Sequence, residues 1–447
     1  MLSKNLCVII FVYLMLIIKS RRKKWNILLI FLNWFGGLPG PVMMFLLFTV
    51  INLVLGLGIG KSIKSSFMYA LGLFALSTFA YDIFLSTISG VGNAMVEHIG
   101  LTKTIVDFGS GVTPIIMSHP IIIWAIPIGL GVNILLIVTG LAKTLDVDLY
   151  NMMYFWGSVG VLTYVATDGN FLFAMLAIAI CGIVTIKVAD WSAPYIHEAL
   201  PQLKGLSFPY VYSCFYGPVA YLFNKIFDKI PFLRDSNLSA DTIKQKLGVF
   251  GEPGVAGFIL GIVMGLLGGY TFTDSLLVGI KIGAALYFVP LSTNILIQGL
   301  NETTAAITKI VKKKFAKRDI LIGLDGVVMS TAPEDLALGL LLIPVAILLS
   351  IILPWNHVLP IGMLSVGFIL VAGFMPFFKM NILKGFVFLF VVITCELAIG
   401  EAMAPLFTQI AMEASVDIPW GSVEITNAAN FPNLLAWLFA WIQGIIA

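Results

Sequence analysis

Charge is what this chain has least of. Asp, Glu, Lys and Arg make up 11% of its 447 residues, against roughly 25% in soluble domains, which excludes an ordinary water-soluble globule. Cysteine is thin as well. Cys7, Cys181, Cys214 and Cys395 are scattered, with no CxxC and no metal-ligand spacing, so they read as small apolar packing residues. The four histidines are dispersed, and no zinc site or other metal site is visible. No glycine-rich phosphate loop of the Walker type occurs, which argues against ATP hydrolysis within this chain and leaves no cofactor implied. Strand-like alternation is missing too, so an all-α chain is expected rather than a barrel.

What the chain has in place of charge is hydrocarbon. Hydrophobic residues are 59% of it, and the mean hydropathy is +1.02. Runs of about 20 apolar residues, enough for a helix to cross ~30 Å of hydrocarbon, recur along its length. The segments also repeat. "PVMMFLLFTVINLVLGLGIG" starts at Pro41 and "PGVAGFILGIVMGLLGGYTF" at Pro253; "SHPIIIWAIPIGLGVNILL" starts at Ser118 and "TAPEDLALGLLLIPVAILL" at Thr331; Ala193-Pro194 returns as Ala404-Pro405. Three near-equal offsets in the same order argue for two homologous halves.

Five spans fit each half: 41–59, 67–85, 121–140, 151–166 and 171–188, then 252–269, 276–299, 336–353, 358–375 and 382–400, with 431–446 as the eleventh. The domain reading is an extension 1–37, a first half 38–188, a soluble, basic cytoplasmic connection 189–250, a second half 251–402, and an outer loop with the last helix 403–447. Five is odd, so the halves are inverted relative to each other. Basic residues agree. Loop 301–320 holds Lys309, Lys312, Lys313, Lys314, Lys317 and Arg318, while its counterpart 86–108 holds only Lys103; Lys61 and Lys64 lie in 60–66, while 270–275 has no basic residue. That is the positive-inside pattern. Lys19, Arg21, Arg22, Lys23 and Lys24 fall on the wrong side of it. Either the extension crosses in an unusual way or the true start lies downstream; it lacks the order of a signal peptide.

Between the second and third spans of each half lies a stretch of Gly, Pro and polar residues, Asp107–Pro120 and Gly323–Asp335. Neither makes a good continuous helix. Such backbone at membrane depth is tolerated only where protein buries it or water reaches it, and paired breaks in inverted halves point to a transporter's substrate site. The second break holds Asp325, Glu334 and Asp335, although a lone charge in hydrocarbon costs ~2.5–3.5 kcal/mol even on the lenient scale. They are read as acids of a re-entrant hairpin facing a polar cavity, where they accept hydroxyl hydrogen bonds. The plainer alternative is capping: Pro333 fits a first turn, and acids favour a helix N-terminus. Asp325 has no such obvious helix. Further candidates are His119, either ligand or structural; Asn151 and Trp156 at a span start, beside Asp148, which is either ligand or solvated; and Glu252, either functional or a cap before Pro253. His357 reads as solvated in an outer loop. Glu396 lies within a span and needs a partner.

"AMVEHIGL" (94–101), "KTLDVDLYN" (143–151), "ADWSAPYI" (189–196), "DKIPFLRD" (228–235), "KLGVFGEPGVAGFILGIVMGLLGGY" (246–270) and "IGLDGVVM" (322–329) together resemble the membrane component IIC of the galactitol-type phosphotransferase system and, more distantly, the ascorbate permeases. The resemblance covers about residues 38–400. It implies an elevator-type transporter of two inverted five-helix repeats with re-entrant hairpins, a homodimer in the bacterial inner membrane, with no nucleic-acid partner. It implies uptake of galactitol or a related polyol coupled to phosphorylation, the phosphate coming from a phosphocysteine on a cytosolic IIB subunit fed by IIA. Asp325 would orient or deprotonate the attacking hydroxyl, and the basic loops would dock IIB. Three stretches depart from the family pattern. Its W-N-Y-W-H is Tyr150-Asn151-Met152-Met153-Tyr154 here, its G-H-P is Thr331-Ala332-Pro333, and its P-F-G-D is Pro360-Ile361-Gly362-Met363, which leaves the polyol's identity open. Two other readings stand beside this one: an ion-coupled secondary transporter with Asp325, Glu334 or Asp335 as the proton or sodium site, and a non-transporting membrane sensor.

Overall fold

The computed structural model describes residues 38–117, 119–148, 151–314, 319–330, 332–414, 424–428, 435–439 and 441–442. The extension 1–37 and most of the eleventh span, 431–446, lie outside the described residues.

Helices dominate. α1 (Gly40–Val54) starts with proline in its first turn, where a missing N–H costs nothing. α2 runs unbroken from Ile59 to Ile99, with a π-helical stretch, Ser77–Leu85, inside it. After a first non-helical stretch come α3 (Pro120–Thr139), α4 (Gly157–Ala166) behind a π-helical turn at Asn151–Trp156, and α5 (Phe171–Ala199), whose Asn170 side chain accepts from Phe173 N–H. α6 (Val211–Phe227) follows. The order then returns as α7 (Pro253–Leu267), α8 (Phe272–Lys314), a second non-helical stretch, α9 (Pro333–Ile352), α10 (Ile361–Ala372) and α11 (Ile382–Glu413). Six of these helices, α2, α3, α5, α8, α9 and α11, are long and apolar enough to cross a membrane; α1, α4, α7 and α10 are shorter.

Helix ends depart from the expected spans in an informative way. Segments 60–66 and 86–108, expected as loops, are helical for most of their length in α2, and 301–320 is helical to Lys314. The connection 189–250, expected to be soluble, is not free of the body. Residues 189–199 continue α5, and Val211, Tyr212, Cys214 and Tyr216 of α6 are buried. Their apolar rings and methyls account for it: Tyr216 reaches Glu396 on α11, donating its hydroxyl to Oε1, which supplies the intramembrane acid with a partner. His357 is not simply solvated either. Its backbone N–H and its ring nitrogen both meet the Glu401 carboxylate.

Helices α2 and α8 cross at backbone contact. A Cβ on Gly72 would lie 2.3 Å from the Leu296 nitrogen, and one on Gly299 2.3 Å from the Tyr69 nitrogen. Lipid supplies no hydrophobic drive between helices, so small residues and polar links hold such crossings. Here Ser65 Oγ donates to the Gly299 carbonyl, and Asn52 links Ser65, Ser66 and Thr303.

Among the described residues, six short strands complete the fold, a feature absent from the expected all-α chain. β1 (Ile105–Asp107) sits between β5 (Val358–Leu359) and β6 (Glu424–Thr426); β4 (Leu321–Gly323) sits between β2 (Thr144–Asp146) and β3 (Leu206–Ser207). Every pairing is parallel. Two or three residues are too few to show a period of two. They matter because the non-helical stretches need partners for their N–H and C=O groups, and the two sheets provide them. Each middle strand pairs on one side with a strand from the other part of the chain, β1 with β5 and β4 with β2, and on the other side with a strand from a connecting segment, β6 or β3.

Candidate functional site

In the β2-β4-β3 sheet the parallel strands end at a common edge. Three acids leave it: Asp146 at the end of β2, Asp148 two residues on, and Asp325 two residues past β4. Asp325 Oδ1 accepts from Val327 N–H at 2.6 Å and caps the one-turn helix Gly326–Met329. Gly326 is pressed on the Tyr210 ring, so closely that a Cβ would fall 2.3 Å from Tyr210 Cδ1; no other residue fits there. Asp146 Oδ1 accepts from Asp148 N–H at 3.0 Å. The Asn151 amide reaches the Leu324 carbonyl at 3.5 Å and borders the Asp146 carboxylate. Asp148 is near enough to Asp325 for their charges to interact, and Tyr69 of α2 is within reach of both. Asp146, Asp148, Asn151 and Tyr69 are buried, and Asp325 is half-buried. Burial, then the charge of Asp148, raises the Asp325 carboxyl above the ordinary range, against the pull of Val327 N–H.

Crowded carboxylates in a dry setting need donors. Hydroxyl groups supply them without bringing charge. A cation is the other solution, but among the described residues no three His, Cys, Asp or Glu side chains are placed to hold a metal.

The β5-β1-β6 sheet offers a control within the same molecule. Asp107 ends its middle strand, as Asp325 follows β4. It is fully buried, but satisfied: Oδ1 accepts from Gly109 N–H and Ala428 N–H, both at 3.0 Å, and Oδ2 from Met363 N–H at 2.6 Å. Backbone fills that site. At Asp325, among the described residues, the one backbone hydrogen bond is from Val327 N–H.

A cavity of about 870 Å³ opens nearby. Its wall includes Ala332–Glu334, three residues past the end of the Gly326–Met329 helix, facing Pro290 and Asn294 of α8, with Tyr195, Glu198, Tyr221, Asn224 and Lys379 opposite. Glu334 lines it and Oε1 accepts from Ala240 N–H at 2.9 Å. Glu252 lines a neighbouring hollow with Pro290 and Pro333.

The remaining predicted residues lie elsewhere. Asp335 is completely buried behind the cavity wall, and among the described residues no side chain hydrogen-bonds its carboxylate. Trp156 is also fully buried, its ring packed between Gly129 of α3 and Gly182 of α5. His119 caps the start of α3 through Nδ1 to Ile121 N–H at 3.3 Å and meets Tyr164 edge-on; Tyr164 is near the far end of α4 from Asn151. The structure thus groups Asp325 with Asn151, Glu334 with the cavity, and leaves His119, Trp156 and Asp335 out of contact with either. Asp146 and Tyr69 are the members that sequence reasoning missed, and Asp148 is the one it left open between ligand and solvated. The run "LDVD" held the signal for two of them, but only the pairing of β2 with β4 gives it meaning.

Residues 36–421 match the family model described as PTS system sugar-specific permease component. Among curated proteins, the "PTS system galactitol-specific EIIC component" of Escherichia coli K12 is 27% identical over 423 residues, 91% of this chain and 93% of that one. A second protein of the same organism, "Putative permease IIC component", is 27% identical over 411 residues, 92% of this chain and 93% of that one.

Proposed function

The chain belongs to the family of sugar-specific permease components of the phosphotransferase system, and we propose that it carries galactitol or a related polyol inward while a cytosolic IIB partner phosphorylates it from a cysteine. It is a multi-pass protein of the bacterial inner membrane. The relatives named for galactitol and the shared motifs favour a polyol as the cargo. The matching order of α1–α5 and α7–α11 favours two repeats; the family resemblance adds inversion, elevator motion and a homodimer whose basic end faces the cytosol and meets IIB and IIA.

The observation that carries the site assignment is the contrast between Asp107 and Asp325. Asp107 ends the middle strand of one sheet and Asp325 lies two residues past the middle strand of the other; among the described residues the first accepts three backbone N–H groups and the second one. We therefore assign Asp325, Asp148 and Asn151 to polyol hydroxyls, with Glu334 and Glu252 at the approach. Little covalent chemistry falls to the permease in phosphoryl transfer; positioning and charge handling are its part. Asp325 orients the attacking hydroxyl and takes its proton, a task suited to a carboxyl raised above its ordinary range.

A second reading has its own observation. Asp335 is a buried carboxylate for which the described residues supply no side-chain hydrogen-bond partner, the kind of group an ion-coupled transporter uses to carry a proton. Vesicle uptake of labelled galactitol, with and without phosphorylated IIB inside, separates the two. Galactitol phosphate formed only with IIB supports the phosphotransferase. Unmodified polyol accumulated on an ion gradient overturns it in favour of the second reading.

A further inference from the structure

The cavity wall contains a backbone anomaly. Lys379 and Met380 follow one another with φ of 52° and 58°. Left-handed backbone is unfavourable for any residue with a Cβ, and glycine would hold it without strain. Strain of this kind concentrates where a side chain is needed for function. Both residues line the cavity, between the 3₁₀ turn Met375–Phe378 and α11.

Lys379 brings an ammonium group to that wall. Its Nζ lies 2.9 Å from Glu198 Oε1, and both side chains are mostly exposed. An exposed pair contributes little, so the ammonium can leave Glu198 for a stronger anion. Beside it, Lys384 Nζ donates to Asn224 Oδ1 at 2.9 Å and to Asp228 Oδ1 at 2.7 Å. That engages the oxygen end of the Asn224 amide and makes its NH₂ the end that can serve the cavity. Lys225 holds a second cation 4.4 Å above the ring of Tyr221, which lines the cavity. Glu198 and Glu334 are the opposing charges in the same wall.

We propose that Lys379, with the Asn224 amide, holds the phosphoryl group of the sugar phosphate on the side where it is made and released. The proposal rests on the phosphotransferase reading above. In that reaction a polyol hydroxyl oxygen attacks the phosphorus of a phosphocysteine. The O–P bond forms, the S–P bond breaks, the thiolate leaves with the partner, and the hydroxyl proton passes to a permease carboxylate. Charge on the phosphoryl oxygens persists throughout, and Lys379 exchanges Glu198 for it.

The test uses the full-length permease in vesicles with phosphorylated IIB, and galactitol phosphate as the binding probe on purified protein. Lys379→Gly removes the ammonium and suits the positive φ, so it folds. It should slow galactitol phosphorylation and weaken galactitol phosphate binding at least about tenfold, the scale of a hydrogen bond to a charged group, while galactitol binding stays within about twofold. Lys379→Arg should restore most of both. Glu198→Gln frees the ammonium and should tighten galactitol phosphate binding. A Lys379→Gly protein that binds galactitol phosphate like wild type, or a Glu198→Gln protein that binds it more weakly, overturns the proposal. Wild-type vesicles that make no galactitol phosphate overturn the phosphotransferase reading on which it rests.

Discussion

Replacing Asp107 or Asp325 by asparagine should give opposite phenotypes. Asp325→Asn keeps an oxygen to accept from Val327 N–H, and asparagine caps a helix about as well as aspartate. It also removes a like charge from beside Asp148. Stability should therefore hold or rise slightly. Activity should not hold, because the base is gone: loss of a positioned general base costs about 10²–10⁴-fold. Asp107→Asn reverses this. Its side chain accepts three backbone N–H groups, two on Oδ1 and one on Oδ2. An amide can keep the first two only by pointing its NH₂ at Met363 N–H, and the flipped amide fares worse. One buried donor facing another is left unsatisfied, at about 1–3 kcal/mol.

Melting of the detergent-purified permease reads the first effect, and galactitol phosphorylation in vesicles reads the second. Asp107→Asn should melt lower and, at temperatures where it is folded, phosphorylate at a rate close to wild type. Asp325→Asn should melt at or above wild type with its phosphorylation rate down by the factor above. Asp325→Asn that works within threefold of wild type, or Asp107→Asn that melts unchanged, would refute the assignment of one acid to chemistry and the other to architecture.

Three further outcomes follow from the same contacts. Asp148→Asn removes a charge that raises the Asp325 carboxyl; the base then stays ionised to lower pH, so the acidic limb of the pH–rate profile should move down, and an unmoved limb would show that the two acids do not interact. Gly299→Ala places a methyl 2.3 Å from the Tyr69 backbone nitrogen, which no rotamer relieves; it should destabilise by about 1–3 kcal/mol as an overpacked contact, visible as a lower melting temperature, and a normal melt would mean α2 and α8 are not in backbone contact. Tyr216→Phe withdraws a donor from the buried Glu396 carboxylate and should also cost about 1–3 kcal/mol in the melt; no loss would mean that hydrogen bond is dispensable.

Hydropathy made α9 legible almost to the residue, 336–353 expected against Pro333–Ile352 found. It failed at the ends of α2 and α8, because it reports how much of a helix lies in hydrocarbon, not where the helix stops. Polar and basic residues beyond the slab continue a helix at no cost, so Lys61, Asn93 and Lys309 read as loop and are helical. The strands were illegible for a different reason: Thr144 pairs with Leu321 across a long stretch of sequence, and three residues carry no pattern of their own. The site inherits both limits. Asp325 announced itself as a charge in an apolar stretch, whereas Asp146 was missed and Asp148 stayed open between ligand and solvated until β2 was seen beside β4. Asp107 lay in the matching break, and nothing in its type separates it from Asp325. What separates them is Met363 and Ala428, both far off in the chain, whose N–H groups fill one carboxylate and, among the described residues, have no counterpart bonded to the other. In the proposed reading each sheet presents an acid near the end of its middle strand, whether or not both are used. A phosphoryl donor that approaches from one side of the membrane needs only one of them open, and the backbone is free to close the other into the frame.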